Sequence, residues 1–334
     1  MKIILDCDPG VDDALAIVFA HGSPDLEIAG ITTVAGNVTL DKTTSNALRI
    51  REFLGAGWPV TAGCPGPLLR PAMTAGLIHG ADGLGAAVLP PPASGPEPGH
   101  ATDFIIDTVR AAPGEVTLVA TGPLTNIALA LRREPELLNL VRDFRIMGGS
   151  STRGNVTPAA EFNIAVDPEA AAIVFDAGWT VTMVGLDVTL QALATADVRA
   201  RIAELGRLAD DLLLPCLRGY VDGAAPDNSA STGSSADAEV AFDQAATAVP
   251  ERRDPAVHDV CAVAHVAHPG LLGCVPARVE VETAGRWTAG MTVTDFRAPR
   301  TTCNALVATT IDVPAFWDSV IGTYATAAAS LPAS

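Results

Sequence analysis

Lysine is almost missing from this chain: the only lysines are Lys2 and Lys42. Sites that need a lysine late in the sequence are disfavoured at once. Arginine and these two lysines make 21 cationic side chains against 38 acids, a formal net charge of −17. That balance excludes binding along a phosphate backbone, which requires a basic stripe. Aromatic residues are only 4% of the chain, so a core has to be built from Ala, Val, Leu and Ile. No two of Cys7, Cys64, Cys216, Cys261, Cys274 and Cys303 have C-x-x-C spacing. A zinc knuckle and a thioredoxin-type site are therefore not suggested, and the cysteines read as small buried residues in a reducing compartment. No apolar run reaches the ~20 residues of a membrane span. Met1-Lys2 opens directly onto a short strand rather than a secretory leader. The expectation is a soluble, cytoplasmic protein with neither nucleic acid nor membrane as partner.

What is present is a hydrophobic content of 49% in 334 residues, with 18% charged, enough for a substantial single-domain core. Short β-rich runs alternate with helical stretches. Strands are expected at Lys2–Asp6, Glu27–Val34, Val116–Ala120, Phe144–Met147 and Thr180–Gly185. Helices are expected at Asp12–His21, Thr39–Leu54, Thr102–Arg110, Leu124–Arg133 and Asp167–Ala177, with Leu40, Ala47, Leu48 and Phe53 as core positions of the second. A further helix is expected over Pro255–Val266, then β-rich runs around Arg278–Glu282 and Met291–Phe296. Such alternation implies an α/β fold: an open, mainly parallel sheet with helices on both faces and ligands beyond the carboxyl ends of its strands. Pro90–Gly99 reads as a surface loop. Val221–Val249, dense in Ala, Ser, Asp and Gly and lacking Lys and Arg, reads as a flexible lid or insertion.

The chemistry concentrates in Asp6-Cys7-Asp8-Pro9-Gly10-Val11-Asp12-Asp13, four carboxylates in eight residues. An apolar run precedes them and another follows, the order of strand, tight turn and helix. Like charges this close repel, and a hard cation held by oxygen ligands offsets them. A helix dipole stabilises Asp12 or Asp13 singly, by roughly 0.3–1 kcal/mol, but does not account for Asp8 facing them across the turn. Asp6 shares a strand face with Asp8 and reads as a supporting group. Cys7 is rejected as a nucleophile, because neighbouring carboxylates raise a thiol's pKa. Asn37 after Gly36 and Asn155 after Gly154 are also residues that a turn uses. Glu161 and Asn163, two apart, share one face of an extended segment with Phe162 opposite.

The acidic motif and the apolar helix after it resemble the signature of the nucleoside hydrolases of the inosine–uridine-preferring type. Further segments match in the same order: Thr32-Thr33-Val34-Ala35-Gly36-Asn37, Ile78-His79-Gly80, Thr121-Gly122-Pro123-Leu124-Thr125-Asn126, Met147-Gly148-Gly149, Glu161-Phe162-Asn163, His258-Asp259, and Gly285-Arg286 through Gly290-Met291-Thr292-Val293. The resemblance spans roughly residues 2–320. It implies a Rossmann-like nucleoside hydrolase fold and hydrolysis of the N-glycosidic bond of ribonucleosides to free base and ribose. It also implies a Ca²⁺ cofactor ligated by Asp8, Asp13, the backbone carbonyl of Thr121 and Asp259. Mg²⁺ ranks second, because it prefers a smaller octahedral shell. By the same resemblance Asp8 is the base that activates water, and Asp12 holds the ribose 2′-hydroxyl. Asn37, Asn155, Glu161 and Asn163 match other sugar-binding positions, His79 lies near the base or sugar, and His258 protonates the leaving base. The partner is a small ribonucleoside, and assembly is expected as a homodimer or homotetramer. Base preference is not readable, since residues 217–250 do not align with the family's base-contacting side chains. Two other readings remain: a non-catalytic ribose- or nucleoside-binding protein on the same fold, and an aspartate-nucleophile phosphatase. The early D-x-D suggests the phosphatase, but Pro9-Gly10 and the missing late lysine oppose it.

Overall fold

Strand β1 (Lys2–Cys7) is buried beyond its first residue. Its side chains divide by the period of two. Ile3, Leu5 and Cys7 join one hydrophobic cluster and Ile4 joins another. A strand apolar on both sides belongs in the middle of a sheet covered on both faces, and that is where β1 sits in the computed structural model, which describes residues 1–222 and 254–332. Among the described residues eight further strands follow: β2 (Glu27–Thr33), β3 (Val60–Ala62), β4 (Val116–Ala120), β5 (Asp143–Met147), β6 (Val181–Val184), β7 (Leu272–Val281), β8 (Thr292–Asp295) and β9 (Ala305–Ile311). They form one sheet in the order β3-β2-β1-β4-β5-β6-β9-β7-β8. Every pairing from β3 through to β9 is parallel; β7 runs antiparallel to β9 and β8 antiparallel to β7.

The helices, in chain order, are α1 (Val11–Gly22), α2 (Leu40–Phe53), α3 (Gly76–His79), α4 (Ala101–Ala111), α5 (Thr125–Arg133), α6 (Leu137–Leu140), α7 (Phe162–Val166), α8 (Pro168–Phe175), α9 (Leu186–Thr189), α10 (Ala196–Ala203), α11 (Leu214–Asp222), α12 (Asp259–Ala267) and α13 (Val313–Ala329). On the Leu5 face lie Leu15 and Phe19 of α1, Val260 and Val263 of α12, and Phe316 and Tyr324 of α13. On the Ile4 face lie Ile105 of α4, Ile127 of α5 and Val174 of α8. Each fully buried side chain of this size contributes roughly 1.5–3 kcal/mol relative to exposure. No helix among the described residues is long and apolar enough to cross a membrane.

The parallel order places a topological switch beside β1. The chain leaves β1 towards β2 and β3, then returns to β1's other side as β4. Crevices at such a switch, outside the carboxyl ends of the strands, are where ligands bind in open α/β sheets. The segments after β1, β2, β4, β5 and β6 all end there.

Two local expectations change. Leu40 is only half-buried, because it opens α2 and faces outward before the helix settles on the sheet. The expected helix over Pro255–Val266 begins four residues later, at Asp259. Before it, Ala256 bridges Leu193, the Ala194 N–H donates to the Pro255 carbonyl at 2.8 Å and the Val257 N–H to the Ala192 carbonyl at 3.0 Å. Those contacts hold the segment extended. Beyond the first two residues of Val221–Val249, the expected lid lies outside the described residues.

Candidate active site

Two helix N-termini bring the acids together. Asp12 and Asp13 occupy the first turn of α1, and Asp259 opens α12, which packs against it. The dipole of each helix favours a carboxylate in that turn. One carboxylate oxygen from each of Asp12, Asp13 and Asp259 falls within 4.8 Å of the others. Asp8 joins them from the β1 end, close enough for mutual repulsion with Asp13.

The arrangement is held by donors from neighbouring strand ends. Asp8 Oδ2 accepts the Asn37 N–H at 2.7 Å. The Asn37 side-chain amide donates to the Asp8 carbonyl at 3.1 Å and to Asp13 Oδ2 at 2.9 Å. Asp13 also accepts from the Gly10 N–H at 3.0 Å and from the Thr121 hydroxyl at 2.9 Å. Glycine is required around Asp8: a Cβ at Gly36 would stand 2.0 Å from Asp8 Oδ2, and one at Gly122 would stand 2.6 Å from Oδ1. Asp6 sits behind, accepting from the Thr32 hydroxyl at 2.5 Å and the Asn126 amide at 2.8 Å, and so ties β1 to β2 and α5. These hydrogen bonds run to the strand and helix around it rather than to the acid cluster.

Burial raises all four site carboxyls above the ordinary range. It is the first cause at each. Repulsion adds to it at Asp8, chiefly from Asp13, at Asp12 from Asp13, and at Asp259 from Asp12, Asp13 and Asp8. At Asp13 the Gly10 and Thr121 donors pull the other way. Asp12 rises to about 7. The Asp8 Oδ1 atom is buried with no hydrogen-bond partner among the described residues. An unpartnered carboxylate oxygen beside three more acids is costly unless something positive meets it. The donor set is entirely hard oxygen, and it suits a hard divalent cation. Asp8 and Asp13 are fully enclosed, whereas Asp12 and His258 each keep 8% exposure, so the cluster opens on the Asp12–His258 side.

The other expected residues distribute around this point. His79 ends α3, and its Nδ1 accepts the Val11 N–H at 3.2 Å. Burial, then the nearby His258, pull its pKa down to about 3, so its ring is neutral. Glu161 and Asn163 do not share an extended face. Glu161 instead caps α7, accepting from the N–H groups of Asn163 at 3.0 Å, Ile164 at 3.3 Å and Gly149 at 2.9 Å. Burial raises its carboxyl to about 7. The Asn163 amide donates to the Thr121 carbonyl at 2.7 Å and the Met147 carbonyl at 3.1 Å, linking β4 to β5 at the expected ligand. Asn155 is exposed, and its side-chain oxygen accepts the Phe162 N–H at 2.9 Å, which places it at the rim beside Glu161. His258 precedes α12, with Nδ1 2.8 Å from the Thr189 hydroxyl of α9.

Cys7 faces the core, and burial followed by the surrounding acids pushes its thiol well above the usual value. All six cysteines are free. A separate groove of about 500 Å³, lined by Cys64, Leu68, Arg70, His100 and Thr125 among others, contains none of the acids. Its Cys64 thiol is pushed up to about 12 by burial, which leaves it unreactive. Sequence reasoning missed Thr189, Asp187 and Asp167. Asp167 and Asp187 carried only the weak signal of an acid at a helix start, and Thr189 carried none.

The comparisons with known proteins agree with this geometry. The family model for inosine-uridine preferring nucleoside hydrolase matches residues 3–318. An inosine-uridine preferring nucleoside hydrolase of Crithidia fasciculata is 43% identical over 324 residues, 96% of each chain. A non-specific ribonucleoside hydrolase of Klebsiella pneumoniae is 43% identical over 317 residues, 95% of each chain. Among solved structures, a purine-preferring ribonucleoside hydrolase from Gardnerella vaginalis superposes with a TM-score of 0.86 at 33% identity, covering 98% of this chain and 99% of that one. With the motif segments, the sheet order and the acid cluster all accounted for, the chain belongs to the inosine-uridine preferring nucleoside hydrolase family.

Proposed function

We propose that this protein hydrolyses the N-glycosidic bond of ribonucleosides to free base and ribose, with Ca²⁺ held by Asp8, Asp13, the Thr121 carbonyl and Asp259. The observation that carries the reading is the buried cluster of acids on which Asp8 Oδ1 has no hydrogen-bond partner among the described residues, at the strand-end switch point of a member of this family. When bound, the cation supplies positive charge among the acids and Lewis acidity towards oxygen.

The chain's own residues do the rest. Asp8 takes the proton of the attacking water as the water oxygen bonds to the anomeric carbon. Asp12 accepts from the ribose 2′-hydroxyl. Asn37, Asn163, Glu161 and, at the rim, Asn155 orient the remaining hydroxyls, each of which both donates and accepts. The glycosidic electron pair leaves with the base, and His258 supplies the proton that the base nitrogen gains. The sugar becomes oxocarbenium-like as the bond breaks, and a pocket lined by carboxylates favours that positive charge. His79, held neutral, adds no competing cation.

The test is reducing-sugar release from a panel of purine and pyrimidine nucleosides, with and without chelator. Sugar released only with the metal restored supports the reading. Phosphate released from a monoester supports a phosphatase, and nucleoside binding without turnover supports a sensor. The reading includes a cytoplasmic location and a homodimer or homotetramer; light scattering on the purified protein measures the assembly.

A further inference from the structure

Helix α9 is only four residues long, yet it reaches two parts of the site. Its start is fixed against the β5 end: the Leu186 N–H donates to the Gly149 carbonyl at 3.0 Å, and a Cβ at Gly185 would stand 2.5 Å from that same oxygen. Asp187 accepts from the Ser151 N–H at 2.8 Å and from the Thr152 hydroxyl at 2.8 Å, which anchors the loop leading to Asn155 and Glu161. Its last residue, Thr189, is fully buried and places its hydroxyl 2.8 Å from His258 Nδ1.

We propose that Thr189 is a positioning residue, whose buried hydroxyl fixes the His258 imidazole by its Nδ1 so that proton delivery to the leaving base falls to Nε2. This rests on the reading of His258 as the group that protonates the base. Three observations support it. The hydroxyl is enclosed, so water does not compete for the interaction, and breaking it strands a buried polar group. The hydroxyl lies 2.8 Å from Nδ1, within hydrogen-bond reach, and so fixes the rotation of the ring by that nitrogen. The residue that carries the hydroxyl is itself immobilised, because α9 is pinned to Gly149 at one end and the Leu193–Ala256 bridge joins the chain after α9 to the approach to His258 at the other.

The test uses the full-length, metal-loaded enzyme and four forms: wild type, Thr189→Val, Thr189→Ser and His258→Ala. Two substrates are compared, inosine, whose base needs protonation to leave, and p-nitrophenyl riboside, whose leaving group needs little. Thr189→Val preserves shape and removes the hydroxyl. It should lower kcat on inosine about 10- to 100-fold with little change in KM, the size expected for loss of one buried hydrogen bond to a reacting group. The loss on p-nitrophenyl riboside should be smaller by about 10-fold. Thr189→Ser should recover most of the inosine activity. In a His258→Ala background, adding Thr189→Val should cost nothing further on inosine, because the ring it positions is gone. Equal losses on both substrates, no rescue by serine, or a full additional loss in the His258→Ala background would overturn the proposal. Had Thr189→Val merely loosened the fold, that additional loss would persist. If His258→Ala itself strikes both substrates equally, the parent reading of His258 fails. If His258→Ala is selective and Thr189→Val is not, only the role of Thr189 fails.

Discussion

Removing the cation should expose the cost of the acid cluster, and the effect should depend on pH in a definite direction. Asp8, Asp12, Asp13 and Asp259 are buried together, and each carboxyl is raised in the folded state. A group raised on folding binds its proton more tightly when folded. Its stabilising contribution is fully present below the unfolded value, roughly 4, and is lost as pH rises through the folded value. For Asp12 that value is about 7. Metal-free protein should therefore lose stability steadily from about pH 4 to pH 8. Calcium requires the deprotonated acids, so its effect grows over the same window. At 100 times its dissociation constant the ion adds about 2.7 kcal/mol, and at 1,000 times about 4.1. For 334 residues, an unfolding entropy of roughly 2.1 cal/mol/K per residue converts these to Tm rises of about 4 and 6 °C. The assay is a thermal melt after chelation, with calcium added back at pH 5 and pH 8. The rise should be near zero at pH 5 and full at pH 8. Asp8→Asn keeps an oxygen for the Asn37 N–H and removes one charge, so the metal-free variant should melt above metal-free wild type at pH 8 and respond less to calcium. An equal calcium response at both pH values, the same rise from sodium chloride at matched ionic strength, or a full response in Asp8→Asn would show that these acids do not hold calcium as a charged cluster.

Gly36→Ala should cut sugar release at least ~100-fold, because its Cβ would displace the Asp8 carboxylate; near-normal turnover with a folded protein would show that Asp8 need not sit where it does. Asp8→Ala should abolish release while leaving circular dichroism unchanged, and appreciable turnover would remove it as base or ligand. His258→Ala should lower kcat/KM far more for purine nucleosides than for p-nitrophenyl riboside. Asp167→Ala strands the Leu68 N–H, the Thr125 hydroxyl and the Ala170 N–H. It should cost about 2–4 kcal/mol, a Tm drop of roughly 3–6 °C, with KM unaltered; a KM change without a Tm change would place Asp167 in the site instead.

The central strands were legible because a strand buried on both faces is dominated by apolar residues, as Ile3-Ile4-Leu5 and Val116–Ala120, with Thr117 its one polar side chain, are. The acid motif was legible because four carboxylates between two apolar runs have few structural uses. The α12 boundary was misread. Pro255–Val257 has nothing locally against a helix, and only the pairing of Ala256 with Leu193 holds it extended. Glu161 was misread for a related reason: two residues apart fits a strand face, whereas its carboxylate in fact collects the N–H groups of a short helix. Thr189 left no trace in Leu186–Gln191, where one hydroxyl among apolar neighbours is indistinguishable from an ordinary helix residue.

The alternation of strands and helices, the excess of acid and the family motifs are readable along the chain, since periodicity, charge and short-range spacing are local properties carried by neighbouring residues. Folding alone brings Asp259 to Asp12 and Asp13, the Asn163 amide to the Thr121 carbonyl, and Thr189 to His258. Those pairs join residues 42 to 247 positions apart along the chain, and contacts at such range exist only once the sheet order has brought separate strand ends to one edge.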